Sequence, residues 1–149
     1  MQITIREPGS AITHFIGMMM AIFAGVPLLI KAAREPSGIY LLSALIYIVS
    51  MILLYAASTM YHTFDISKKI NQRLKKFDHM MISVLIAGTY TPILLSAFVP
   101  TTPMLGCGLL IGEWSLAILA ATFTAIDLHK YRVFSMICYI GMGWAIIPF

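Results

Sequence analysis

Charge is what this sequence has least of. Lys and Arg number 10 and Asp and Glu 6 in 149 residues, so 11% of the chain is charged against 60% hydrophobic, with a mean hydropathy of +0.89. So little polar surface cannot cover a soluble globule, which excludes a soluble domain and places the chain in a bilayer. The net charge of +4 does not point to nucleic acid, because the basic residues sit in short loops beside apolar runs. Cysteine is scarce as well. Cys107 and Cys138 fall near opposite ends of their apolar runs, beyond the roughly 7 Å Cα separation that a disulfide allows, and read as small buried hydrophobes. Internal repetition is also missing: "REP" recurs at 6–8 and 34–36 with no similarity around it. Methionine is plentiful, but the eleven residues show no copper-type spacing with histidine and fit packing and lipid contact.

What the chain does have is long apolar runs. Five of them, at about 14–31, 38–64, 77–99, 104–126 and 133–149, meet or approach the roughly 20 residues that a helix needs to cross about 30 Å of hydrocarbon. The pattern predicts a single all-α domain, a polytopic bundle of five transmembrane helices. The first run is followed by "KAAREPSG", a poor cleavage site, and is expected to be retained. Lys and Arg accumulate on the cytoplasmic side of membrane proteins. Arg6, Lys68, Lys69, Arg73, Lys75, Lys76, Lys130 and Arg132 fall on one side of this topology, against Lys31 and Arg34 on the other. The N-terminus is therefore expected in the cytoplasm, and the chain in the cell membrane.

All four histidines, His14, His62, His79 and His129, fall on that same side. For any one of them an interfacial position is sufficient explanation. Ser58 and His62 are more specific. Their i, i+4 spacing puts both on one face of the second helix, and Asp78 opens the third across a 15-residue hairpin. An imidazole and a carboxylate at one depth suit Zn²⁺, with manganese or iron as alternatives, the carboxylate either binding the ion or orienting its water. A His62–Asp78 hydrogen bond that pins the hairpin accounts for the same pair. Glu113 is a full charge well inside a span, a functional candidate by default, but at 1.5 Å per residue it lies about 20 Å from that end and cannot join it. Pro92, in "AGTYTP", is expected to kink the third helix while neighbouring hydroxyls satisfy the freed carbonyls.

"SALIYIVSMILLYAASTMYHTF" and "KKFDHMMISVLIAGTYTPILL" resemble the hemolysin III family of bacterial membrane proteins, relatives of the progestin and adipoQ receptor family and, more distantly, of alkaline ceramidases. The resemblance runs from "AITHFIG" to "YIGMGW", and its most specific parts are Ser58-x-x-x-His62, Asp78 and "AGTYTP" at 87–92. It implies a seven-helix fold with zinc near the cytoplasmic helix ends. His62 would bind the metal, Asp78 would hold its water, and Ser58 would lie beside them. The family's two further ligands come from an H-x-x-x-H on the last helix, and this sequence has none. A fragment of a longer protein, a second copy completing the site, or a dead site each accounts for that, and the fragment is the expected one; His14 or His129 is a less expected substitute.

Three functions then compete. In a zinc hydrolase the metal activates water against an amide or ester carbonyl of a membrane lipid, with Asp78 as base or orienter and Ser58 bonding the water or the oxyanion. In a receptor-like or regulatory protein the metal only ties helices together. In a pore-forming cytolysin the helices line a channel, which spans apolar all round do not favour.

Overall fold

The computed structural model describes residues 5–147 and 149. The described residues are helical throughout, with short connections and no strand. Helix α1 is Pro8–Ala33, α2 is Gly38–Thr63, α3 is Lys68–Thr101, α4 is Pro103–Ile126 and α5 is Arg132–Trp144. The first four are long and apolar enough to cross a membrane. They pack in sequence, α1 on α2, α2 on α3 and α3 on α4, and α5 closes against α4 and α3.

The interior is built from small residues. Ala44, Ala57, Ser43, Ser50 and Ser58 on α2 are buried, as are Ser83, Ala87 and Thr91 on α3 and Ala117, Ala120 and Thr124 on α4, while Phe23, Met104 and Ile111 are exposed. Close backbone approach and interhelical polar contacts drive association where lipid is as apolar as leucine, so large side chains are left to face the hydrocarbon. Glycines mark close approaches, among them Gly106 on α4, where a Cβ would lie 2.7 Å from the Val99 amide nitrogen of α3. A Cβ on Gly17 would lie 2.7 Å from the Tyr55 ring, and one on Gly88 would collide with Ser50 Oγ and come within 2.8 Å of its Cβ. Some buried hydroxyls return to their own helices, Ser43 to the Tyr40 carbonyl at 3.0 Å and Ser50 to Tyr47 at 2.7 Å, while others bridge helices, Ser83 to the Ala117 carbonyl at 3.1 Å and Thr124 with Ser135 at 3.0 Å.

Three boundaries differ from the apolar runs. α1 begins at Pro8 rather than 14, because proline at the first helical position gives up an amide that would be unpaired anyway. α3 begins at Lys68 rather than 77, capped by Ser67, whose hydroxyl accepts from Ile70 N at 3.3 Å. The expected 15-residue hairpin is therefore mostly helix. α5 ends at Trp144, and its last turns tighten to the i→i−3 bonds Ala145 N to Met142 O and Ile147 N to Trp144 O. At 13 residues it is shorter than a full span. Beyond Pro92, α3 widens into a π turn over Leu94–Phe98. The nearby hydroxyls of Thr89, Thr91 and Ser96 bond the carbonyls of Leu85, Ala87 and Pro92. None of them reaches Gly88, whose carbonyl Pro92 leaves without its usual donor.

Candidate functional site

The end of α2 exposes carbonyls that its own helix cannot satisfy. The segment before α1 supplies the missing donors: Glu7 N donates to His62 O at 2.9 Å and Arg6 N to Thr63 O at 3.4 Å. This backbone strap carries two side chains into the site. Glu7 Oε2 accepts from His62 Nδ1 at 2.8 Å, and the Arg6 guanidinium donates to Tyr61 Oη at 3.1 Å while lying 4.6 Å from the centre of that ring. One and a half turns into α1, His14 Nδ1 is hydrogen-bonded to Ser58 Oγ. The His14 and His62 rings meet edge to face with centroids 5.3 Å apart.

Ser58 and His62 thus share a face, and each is joined to the N-terminal helix. Because Glu7 is an acceptor, His62 donates from Nδ1 and, when neutral, presents a bare Nε2. A carboxylate behind an imidazole is the arrangement that usually supports a metal-binding histidine. Asp78 stands apart from this pair. The Gly88–Ser50 contact sets the α2–α3 register, and ten residues back along α3 bring Asp78 level with Met60, within a turn of His62. Yet its Oδ2 lies beside His79 Nδ1, at 3.5 Å, and no hydrogen bond or ion pair joins it to His62 or Ser58 among the described residues. His79 Nδ1 donates to the Lys75 carbonyl at 2.9 Å, and Tyr139 Oη donates to the His79 carbonyl at 2.9 Å.

The other sequence candidates lie elsewhere. His129 belongs to the α4–α5 loop, where its amide donates to Asp127 Oδ1 at 2.9 Å. Glu113 is 2% exposed on α4, and its Oε2 has no hydrogen-bond partner among the described residues. The Trp114–Thr91 bond at 3.1 Å fixes the α3–α4 register and leaves Glu113 roughly 24 Å from the level of His62. Cys107 and Cys138 are both free.

Sequence reasoning passed over Glu7, which lay in a segment read as preceding the helix. Its signal was Pro8: a helix starting there puts Glu7 and His14 two turns apart on one face.

A zinc site needs three protein ligands or more. The His62 environment suits one. The number does not: among the described residues no group of three His, Cys, Asp or Glu is placed to hold an ion. The described residues of one copy do not close a zinc site, and no reaction step is derived through a metal.

The family model described as "Haemolysin-III related" matches residues 2–149. "Hemolysin-3 homolog" of Bacillus subtilis (strain 168) is 42% identical over 145 residues, 97% of this chain and 66% of that protein. "Hemolysin-3" of Bacillus cereus is 38% identical over 146 residues, 98% of this chain and 65% of that protein. The chain spans just under two thirds of the length of these relatives, and no solved structure gives a significant match. With its lipid-facing bundle and a family match over almost its whole length, the chain belongs to the haemolysin III-related family of membrane proteins.

Proposed function

We propose that this chain is a multi-pass protein of the cell membrane with its N-terminus in the cytoplasm, and that it contributes part of a zinc-dependent site hydrolysing an amide or ester bond of a membrane lipid. The observation that carries the reading is the environment of His62: a buried-edge imidazole held through Nδ1 by Glu7, with Nε2 free and Ser58 one turn away. The basic residues of the α2–α3 and α4–α5 connections support the orientation. A metal held there would need further donors from outside the described residues of one copy. Within this chain, Glu7 holds the ring of His62, His14 holds the Ser58 hydroxyl, and Asp78 stands within a turn as the carboxylate that takes a proton.

The same bonds favour a second reading, in which the cluster serves only to fasten α1 to α2. The two separate on one experiment in membranes carrying the chain. Asp78→Asn is expected to abolish release of fatty acid from a lipid amide while leaving the detergent-extracted protein folded and its metal content unchanged. Turnover that survives Asp78→Asn, or that is indifferent to chelation while helix packing is lost, overturns the hydrolase and leaves the fastening.

A further inference from the structure

Beside Tyr61, where the N-terminal strap meets the start of α3, lies a cavity of about 360 Å³ lined by Arg6, Tyr61, Asp65, Lys68, Asn71, Gln72 and Lys75. Its positive charge comes from two separate elements. Arg6 arrives on the N-terminal strap and is fixed in place by Tyr61, through both its hydroxyl and its ring. Lys68 and Lys75 are i, i+7 on α3 and so face the same way. Within the lining one carboxylate, Asp65, stands against these three cations, already accepting from Asn71 Nδ2 at 2.6 Å, and from outside it Glu7 Oε1 lies 3.9 Å from Arg6 Nε. Neither lysine has a hydrogen-bond or ion-pair partner among the described residues.

Other basic residues of α3 do not take part. Lys76 is turned to the neighbouring flank of the helix, toward α4, where Nζ donates to the Ala125 and Ile126 carbonyls at 2.7 and 2.9 Å and so caps α4. Lys69 and Arg73 also fall on that flank. Convergent like charges repel unless an anion joins them. The cavity also provides what a phosphate accepts from: a guanidinium, two ammonium groups and the side-chain amides of Asn71 and Gln72. Its place decides the source. It sits at the ends of α2 and α3 where their apolar spans stop, the depth at which lipid phosphates lie and at which basic pockets recognise anionic head groups.

We infer that the Arg6–Lys68–Lys75 cavity is a binding site for the phosphate of an anionic membrane lipid. It lies on the opposite face of α2 from Thr59 and Met60 and involves neither His62 nor Asp78, so it stands or falls separately from the hydrolase.

Native mass spectrometry of the intact chain, released from mixed micelles of phosphatidylglycerol and phosphatidylcholine, tests this. Phosphatidylglycerol adducts are expected to be preferred, and Lys68→Gln with Lys75→Gln to weaken that preference by about fivefold per lysine. Lys69→Gln with Arg73→Gln, the same charge change on the neighbouring flank, is expected to leave it intact. An equal loss in both pairs would show only diffuse attraction to the helix and overturn the site. A preference abolished by millimolar inorganic phosphate, with phosphate adducts appearing in its place, would assign the cavity to a soluble anion and overturn the lipid. Circular dichroism of the variants keeps a folding failure from passing as either result.

Discussion

At the scale of single residues, the bundle depends on the absence of side chains as much as on their presence. Gly88 faces Ser50 so closely that an added Cβ has no room, and the obstacle is a β-carbon attached to rigid helix rather than a flexible tip. Gly88→Ala should therefore destabilise the protein by about 1–3 kcal/mol, measured as a lower midpoint of denaturation in detergent micelles. Ser50→Gly in the same chain should recover most of the loss, since it removes both atoms the new methyl would meet. Full stability of Gly88→Ala alone would show that α2 and α3 do not approach as described. Glu113 breaks the small-residue pattern. It is buried with an unpaired oxygen among the described residues, too far from His62 to serve it, and nothing in its surroundings explains why a carboxylate stands there.

The residue scale also shows what a sequence can and cannot disclose about a site. Ser58 and His62 were legible from their spacing alone, because i, i+4 geometry is a property of any helix. Their partners were not. Glu7 and His14 reach them through a strap and a helix crossing, contacts separated by 55 and 44 positions in the chain, and no local pattern encodes such a crossing. Asp78 depends on the same kind of information, because its direction is set by where α3 starts and how that helix rotates against α2.

At the scale of elements, the start of α3 moved because charge was taken for loop. The stretch from Lys68 to Lys76 is rich in lysine, yet Ile70, Leu74 and Phe77 recur at i, i+4 and i+7, the stripe of an amphipathic helix. Ser67 before it is a good cap. Both signals were present, and hydropathy alone hides them. The α4–α5 connection is the clearest true loop. There the amides of Lys130 and His129 donate to Asp127 Oδ1 at 3.0 and 2.9 Å. These donors, that of Lys130 first, hold the Asp127 carboxyl below its usual value of 3.8. A carboxylate with a depressed pKa contributes its stabilisation above the unfolded value and loses it as pH falls through the folded one. In micelles, the Lys130 amide resonance should thus titrate with a midpoint below 3.8, and Asp127→Ala should remove the titration. A midpoint at or above that value contradicts the loop geometry.

At the scale of the whole molecule, the distribution of side-chain size is the strongest argument for a bilayer. Small and hydroxylated residues fill the contacts between helices and large apolar ones cover the outside, the reverse of a soluble core. Composition was enough to predict this, because a chain that is 11% charged has no other way to be folded and solvated. The fifth apolar run is helical over Arg132–Trp144, a shorter stretch than the run itself. Apolar residues continue to the end of the sequence, but the helix tightens and stops at Trp144, with Gly141 and Gly143 in its final turn weakening it. The gathering of the α2–α3 connection, the start of α1 and the α4–α5 loop at one end gives the molecule a polar pole. The proposed hydrolytic site and the proposed lipid site both belong to it.

The central claim is that His62 at this pole is a metal ligand rather than a peg between helices. Zinc measured by elemental mass spectrometry, in protein gently extracted from membranes that carry it, addresses that directly when His62→Ala and Asp78→Ala are measured beside the unaltered chain. The account predicts zinc in the unaltered protein, with further donors supplied from outside the described residues of one copy, its loss in His62→Ala and its retention in Asp78→Ala. No zinc in any sample, or the same zinc with and without His62, would contradict it and leave the cluster of Glu7, His14, Ser58 and His62 as a fastening of α1 to α2.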